Sequence, residues 1–262
     1  MDEGQLPLSW YVVVGVFGVL IGSFLNVCIY RLPRGESIAW PGSHCTACSH
    51  PIAWYDNIPI LSYALLAGRC RNCSVSIPVR YPMVEAFNAL GYVALLGCFG
   101  PAWATGVYAV FYSALLVVAG TDLSHKIIPN VVTLPGILLG LLSAATVLPL
   151  GLFNGVLGLL VGGGILWGLA WASPYLFGKE GMGGGDIKLL AMIGAFLGWK
   201  PAVMTIMLGS LLGSLIGVTL IATQVIKRDD YIPFGPFLVC GALLSLFFGQ
   251  SILTWYEGLL AG

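Results

Sequence analysis

Long apolar runs alternate with short polar connections along most of this chain, and the runs are apolar all round rather than striped at a helical or strand period. Eight are legible, at 8–30, 82–99, 102–121, 130–148, 152–177, 187–199, 202–226 and 232–255. A bilayer core takes about 20 helical residues to cross, so these runs predict an all-α polytopic membrane protein with about eight transmembrane helices. The run 187–199 is short for a crossing, so it is expected to tilt in a thinned region or to extend past Lys200. The first run is led by Asp2 and Glu3, without Lys or Arg, and no A-x-A-like site follows it. It therefore reads as a retained helix rather than a cleaved signal. Gly209, Gly213 and Gly217 recur every four residues, a device for close helix packing rather than a site, and Gly155, Gly158 and Gly162 read the same way.

The pattern breaks once, over 31–81. This stretch carries four paired cysteines, most of the arginines and turn formers such as Pro41-Gly42 and Asp56-Asn57. It predicts a small cytoplasmic domain between helices one and two, giving a division into 1–30, 31–81 and 82–262. A segment of that size buries too little apolar surface to hold itself together and needs a staple. Cys45-x-x-Cys48 and Cys70-x-x-Cys73, separated by 21 residues, offer four thiolates at zinc-ribbon-like spacing. Two disulfides are the alternative, disfavoured where thiols stay reduced. His44 and His50 read as bystanders, because four cysteines already close a tetrahedral site. Cys28, Cys98 and Cys240 lie in apolar runs and read as small packing residues.

Composition agrees with a membrane protein: 58% of residues are hydrophobic, 8% are charged, and the mean hydropathy is +0.93. A net charge of zero argues against nucleic acid as a partner. Placement of charge says more. With eight spans, Arg31, Arg34, Arg69, Arg71, Arg80, Lys126, Lys179, Lys188, Lys227 and Arg228 share one side, and only Lys200 lies opposite. The positive-inside rule makes that side the cytoplasm and puts both termini outside.

Two acids then share the cytoplasmic face. Asp122 ends the third run, and Asp186 opens the sixth after Glu180-Gly181-Met182-Gly183-Gly184-Gly185. The triple glycine predicts a turn with unusual backbone freedom or a close approach, with Asp186 as a helix cap in the plainest reading. Ionisable groups at membrane depth are costly and mark function. Two neighbouring carboxylates cannot both stay ionised, so one holds a proton and the pair serves as acid and base together. Such a pair hydrolyses a peptide bond without metal or nucleophile. Asp186 opens a helix beside Lys188 while Asp122 closes one, which assigns the base role to Asp186 and the acid role to Asp122. A serine or cysteine nucleophile has no partnered histidine here, and no strand precedes a glycine-rich dinucleotide loop. A proton-coupled transporter using the same two aspartates is the alternative; transporter sites, however, usually sit at the midplane.

Further motifs make the pattern specific. They are Gly22-Ser23-Phe24-Leu25-Asn26-Val27-Cys28-Ile29-Tyr30-Arg31-Leu32-Pro33, Trp54-Tyr55-Asp56-Asn57-Ile58-Pro59, Arg80-Tyr81-Pro82-Met83-Val84-Glu85, Asp122-Leu123-Ser124-His125-Lys126-Ile127-Ile128-Pro129, Gly183-Gly184-Gly185-Asp186 and Pro233-Phe234-Gly235-Pro236-Phe237. With the cysteine pairs, they resemble the type IV prepilin peptidases nearly end to end, in the bifunctional leader peptidase/N-methyltransferase form. The resemblance implies a GxGD-type membrane aspartic protease of the bacterial inner membrane, with Asp122 and Asp186 catalytic and Gly183, Gly185 and Lys188 in support. It implies substrates that are prepilins and type II secretion pseudopilins, cut after a glycine on the cytoplasmic side to remove a short basic leader. The new N-terminal residue would then be methylated with S-adenosylmethionine. After Asp122 many relatives have a threonine and a second acid where this chain has Leu-Ser-His-Lys, a departure expected to bear on substrate choice. No recognisable S-adenosylmethionine fold is encoded. Asn26, Arg80 and Glu85, bordering the cysteine segment, are the candidate residues for that cofactor; Asn26 and Glu85 also have plainer readings as a helix–helix hydrogen bond and a first-turn acid.

Overall fold

A computed structural model describes residues 6–178, 183–227 and 232–261. Asp2, Glu3, Lys179, Glu180, Gly181, Met182 and Arg228, used above, lie outside them. Nine α-helices are present among the described residues: α1 (Leu8–Arg31), α2 (Leu61–Leu65), α3 (Arg80–Phe99), α4 (Trp103–His125), α5 (Asn130–Thr146), α6 (Gly151–Phe177), α7 (Gly184–Leu197), α8 (Trp199–Ala222) and α9 (Gly235–Ala261). Short 3-10 turns occupy Leu32–Arg34 and Trp54–Asn57. The only β pairing among the described residues is two isolated bridges, His44 with Pro51 and Arg69 with Ser76.

Six helices, α1, α3, α4, α6, α8 and α9, are long and apolar enough to cross a membrane. The protein is a multi-pass membrane protein. The expected count of about eight is not reached on length, because α5 and α7 have 17 and 14 residues. At 1.5 Å per residue they extend about 26 Å and about 21 Å, short of a core about 30 Å thick.

The chain divides into two compact units, residues 1–117 and 118–262, with α4 running from one into the other. In the first unit, α1 and α3 pack with almost no spacer. A Cβ added at Gly18 would lie 2.7 Å from Ala89 Cα, and one at Gly22 would lie 2.7 Å from Glu85 Cα. A buried polar chain ties the helices further: Asn88 Nδ2 donates to Gly18 O at 2.7 Å, and Ser113 Oγ donates to Asn88 Oδ1 at 2.9 Å. Buried polar groups in a bundle have to be partnered in this way.

In the second unit α7 is the central element. Every residue from Leu189 to Phe196 is buried. Gly158 of α6 and Gly194 of α7 meet backbone to backbone, and Phe196 fills the space beside Gly140 of α5. A helix wrapped by protein on all sides is uniformly apolar whatever its length, so composition alone does not say whether α7 crosses. It stops at Gly198, whose φ of 87° suits only glycine without strain, and α8 begins at the next residue. The break thus falls at Gly198 rather than at Lys200. The small-residue stripe of α8 packs as expected, with Gly209 against Phe237 O and Gly241 of α9 against Thr205 O.

Candidate active site

Both aspartates are buried in the second unit, at 3% and 6% exposure, although each is acidic and near a helix end. Asp122 lies in the last turn of α4. That helix is closed by Lys126, in the left-handed region at φ 55°, whose N–H donates to Asp122 O at 2.8 Å. The chain then doubles back so that Ile128 packs under the start of α7. A Cβ added at Gly185 would lie 2.8 Å from Ile128 Cβ. Gly185 is therefore glycine because Ile128 occupies its side-chain space.

The expected backbone freedom of the triple glycine is not used. Gly183 has φ −77° and caps α7, Gly184 and Gly185 are its first helical residues, and none of the three has positive φ. Close approach, the other expectation, holds at Gly185 alone; nothing lies within 4 Å of a Cβ at Gly184. Asp186 is consequently the third helical residue and not the cap. An acid there often reaches back to the cap N–H, and the Asp186 carboxylate does meet the N–H of Gly183, while its buried Oδ1 has no hydrogen-bond partner. The carboxylate is near enough to Asp122 for the two to interact electrostatically.

Asp122 is held from a third direction. The N–H of Gly235, which opens α9, donates to Asp122 Oδ2 at 3.0 Å. A Cβ at Gly235 would sit 2.5 Å from the same oxygen and 3.3 Å from Ile128 Cδ1. Gly235 and Ile128 stood within quoted motifs without a role, and their partners become visible only when the helices are assembled. The helix-end assignment of base and acid does not hold. Asp122 closes its own helix, but its carboxylate meets the N-terminus of α9, so both aspartates face positive helix ends. Lys188 does not stand against Asp186 either; its Nζ donates to Asn130 Oδ1 at 2.9 Å, joining the first turns of α7 and α5.

In the first unit the four paired cysteines converge, with all Sγ atoms within 4.8 Å of one another and none in a disulfide. Cys45 Sγ and Cys73 Sγ are 3.8 Å apart, matching the edge of about 3.8 Å in a tetrahedron with metal–sulfur bonds of about 2.3 Å. The N–H of His50 and the Asn72 amide hold the Cys48 thiol down to about 6, and the N–H groups of Cys73 and Asn72 lower Cys70. Cys48 and Cys70 are thus favoured as thiolates while Cys73 beside them is pushed up to about 12, and four converging sulfurs are a donor set that fits zinc.

A cavity of about 510 Å³ lies between this segment and α1 and α3, entirely within the first unit. That is a usual size for a small-molecule pocket, about 300–1,000 Å³. Asn26 and Glu85 line it, and Arg80 does not. The guanidinium of Arg80 is 5.3 Å from the centre of the Tyr81 ring. Asn26 Nδ2 donates to Tyr81 O at 3.0 Å, so its plainer role as a helix–helix bond is also present.

Comparison with known proteins follows this division. The profile described as the Type IV leader peptidase family matches residues 109–218, which contain both aspartates. The profile described as the Bacterial Peptidase A24 N-terminal domain matches residues 16–99, which contain the four cysteines and the cavity. A protein of Aeromonas salmonicida named prepilin leader peptidase/N-methyltransferase is 38% identical, over 96% of this chain and 95% of its own length. The chain belongs to the type IV leader peptidase family. Proteins of the same name from Aeromonas hydrophila and Pseudomonas aeruginosa are 38% and 36% identical, again over at least 94% of both chains. No solved structure matches. Family membership gives the transporter alternative no support.

Proposed function

We infer that this chain is a prepilin leader peptidase and N-methyltransferase. It removes the short basic leader of type IV prepilins and type II secretion pseudopilins after a glycine, and methylates the new N-terminal residue. The observation that carries the peptidase half is the buried Asp122–Asp186 pair, one oxygen of which is left without a protein partner. One carboxylate takes a proton from water as the water oxygen bonds to the scissile carbonyl carbon, and the other gives its proton to the carbonyl oxygen. Collapse of the tetrahedral intermediate breaks the C–N bond, and the leaving nitrogen takes a proton from the pair. The proton belongs to the dyad as a unit.

Gly183 and Gly185 keep the approach to Asp186 low, and Lys188 fixes the turn that carries it. A prepilin, with a basic leader followed by an apolar helix, presents its cleavage point where water meets lipid. This supports an inner-membrane location with the pair facing the cytoplasm and both termini periplasmic. In this reading α5 and α7 complete eight spans, and the chain runs as first helix (1–30), cysteine domain (31–81) and seven-helix peptidase (82–262). Cys45, Cys48, Cys70 and Cys73 hold a structural zinc ion. S-adenosylmethionine, when bound, supplies the methyl group; Asn26 and Glu85, but not Arg80, are the residues of the candidate set that line a cavity able to take it.

The test is to incubate purified full-length protein with a prepilin and S-adenosylmethionine and to read the product by mass spectrometry. A new N-terminus following the glycine, carrying one added methyl group, is the expected result. An unchanged prepilin refutes the peptidase reading, and a cut but unmethylated product refutes the methyltransferase half.

A further inference from the structure

We propose that the cavity beneath the cysteine segment is the binding site of the sulfonium methyl donor, with Glu85 as the carboxylate that recognises its positive charge. The inference rests on the methyltransferase reading and adds to it where the donor binds and what binds it.

Two acids line the cavity, Asp56 and Glu85. Asp56 is already neutralised, since Arg71 Nε and a terminal nitrogen of Arg71 both donate to it at 2.7 Å. Glu85 is different. It is only 7% exposed, and no cation pairs with it among the described residues. A buried carboxylate without a counter-ion is costly, and a cationic ligand offsets that cost. A sulfonium donor that also bears an ammonium group is such a ligand.

Glu85 also organises the wall opposite its own helix. Its Oε2 accepts the N–H of Ile60 at 2.7 Å. Ile60 stands at φ 60°, ψ −51°, a conformation strained for a β-branched residue, in a three-residue turn closed by the N–H of Leu61 on Pro59 O. Strain of this kind persists where a binding site over-determines the backbone. The 59–61 turn, Glu85 and Asn26 of α1 thus converge on one half-open cavity of ligand size within the first unit.

Hydrogen exchange on the purified full-length protein, with S-adenosylmethionine added and no prepilin present, locates the site. Amides of 58–63 and 81–85 are expected to exchange about tenfold or more slowly with the donor present, while those of 184–190 do not change. Calorimetry with the same ligand is expected to show binding weakened at least about tenfold in Glu85→Gln, a charged contact being lost. Metal content and melting temperature report whether that variant is folded. Ser23→Phe, which puts a bulky ring into the cavity from α1 and removes the side chain that hydrogen-bonds Glu85, is expected to block binding as well. Protection confined to the second unit, or full binding by both variants, overturns the proposal and leaves the methyltransferase reading intact. No binding to the wild type overturns both.

Discussion

At the scale of single residues, the candidate catalytic pair depends on what glycines leave open. Gly235 donates to Asp122 Oδ2 and leaves no room for a Cβ beside that oxygen. Gly235→Ala should displace the carboxylate and lower the rate of leader cleavage by about 100-fold, on the scale of losing one proton-transfer partner. Gly184→Ala, whose Cβ would meet open space, should cleave at the wild-type rate under the same assay. Gly185→Ala should fail because of Ile128, and shortening that neighbour in Gly185→Ala/Ile128→Ala should restore much of the loss. Equal defects in the single and double variants would show that Ile128 is not the obstacle. The two aspartates were legible in the sequence because acids within apolar runs are rare. Neither the role of Gly235 nor the reason for Gly185 was legible, because each depends on a side chain brought in from a distant position. The helix-end argument for Asp122 loses its basis for the same reason: only its own helix is visible in the sequence, and the end of α9 that it meets is not.

At the scale of elements, the apolar runs gave the long helices to within a few residues, and the thiol pairs gave the cluster. The exception is α7. Its run was read as a short crossing from 187; the helix is as short as expected and buried inside the second unit, and its start at Gly184 makes Asp186 part of the helix. Periodicity cannot separate a helix surrounded by lipid from one surrounded by other helices, since both are apolar all round. The cysteine segment has two isolated bridges and one five-residue helix, α2, and little core, so its order should depend on metal. Protein purified without chelators should contain about one equivalent of zinc, and Cys45→Ser should lose it. Limited proteolysis of Cys45→Ser should then cut within 31–81 faster than in the wild type. A metal-free wild type that resists proteolysis in this segment would contradict the assignment.

At the scale of the whole molecule, the orientation expected from the basic residues rests on eight crossings, and the helix lengths leave that number to be measured. Phosphatase fused within the 147–150 connection should be active outside the cytoplasm if α5 crosses, and inactive if only the six long helices do. The central claim is that Asp122 and Asp186 together hydrolyse the leader bond. Its most direct test compares leader cleavage by wild-type, Asp122→Asn and Asp186→Asn proteins, each purified in folded form with its metal content checked. The amide is close in shape to the carboxylate but cannot take up or release the proton, so each variant should fall at least about 100-fold in rate. Near-normal cleavage by either variant would contradict the account.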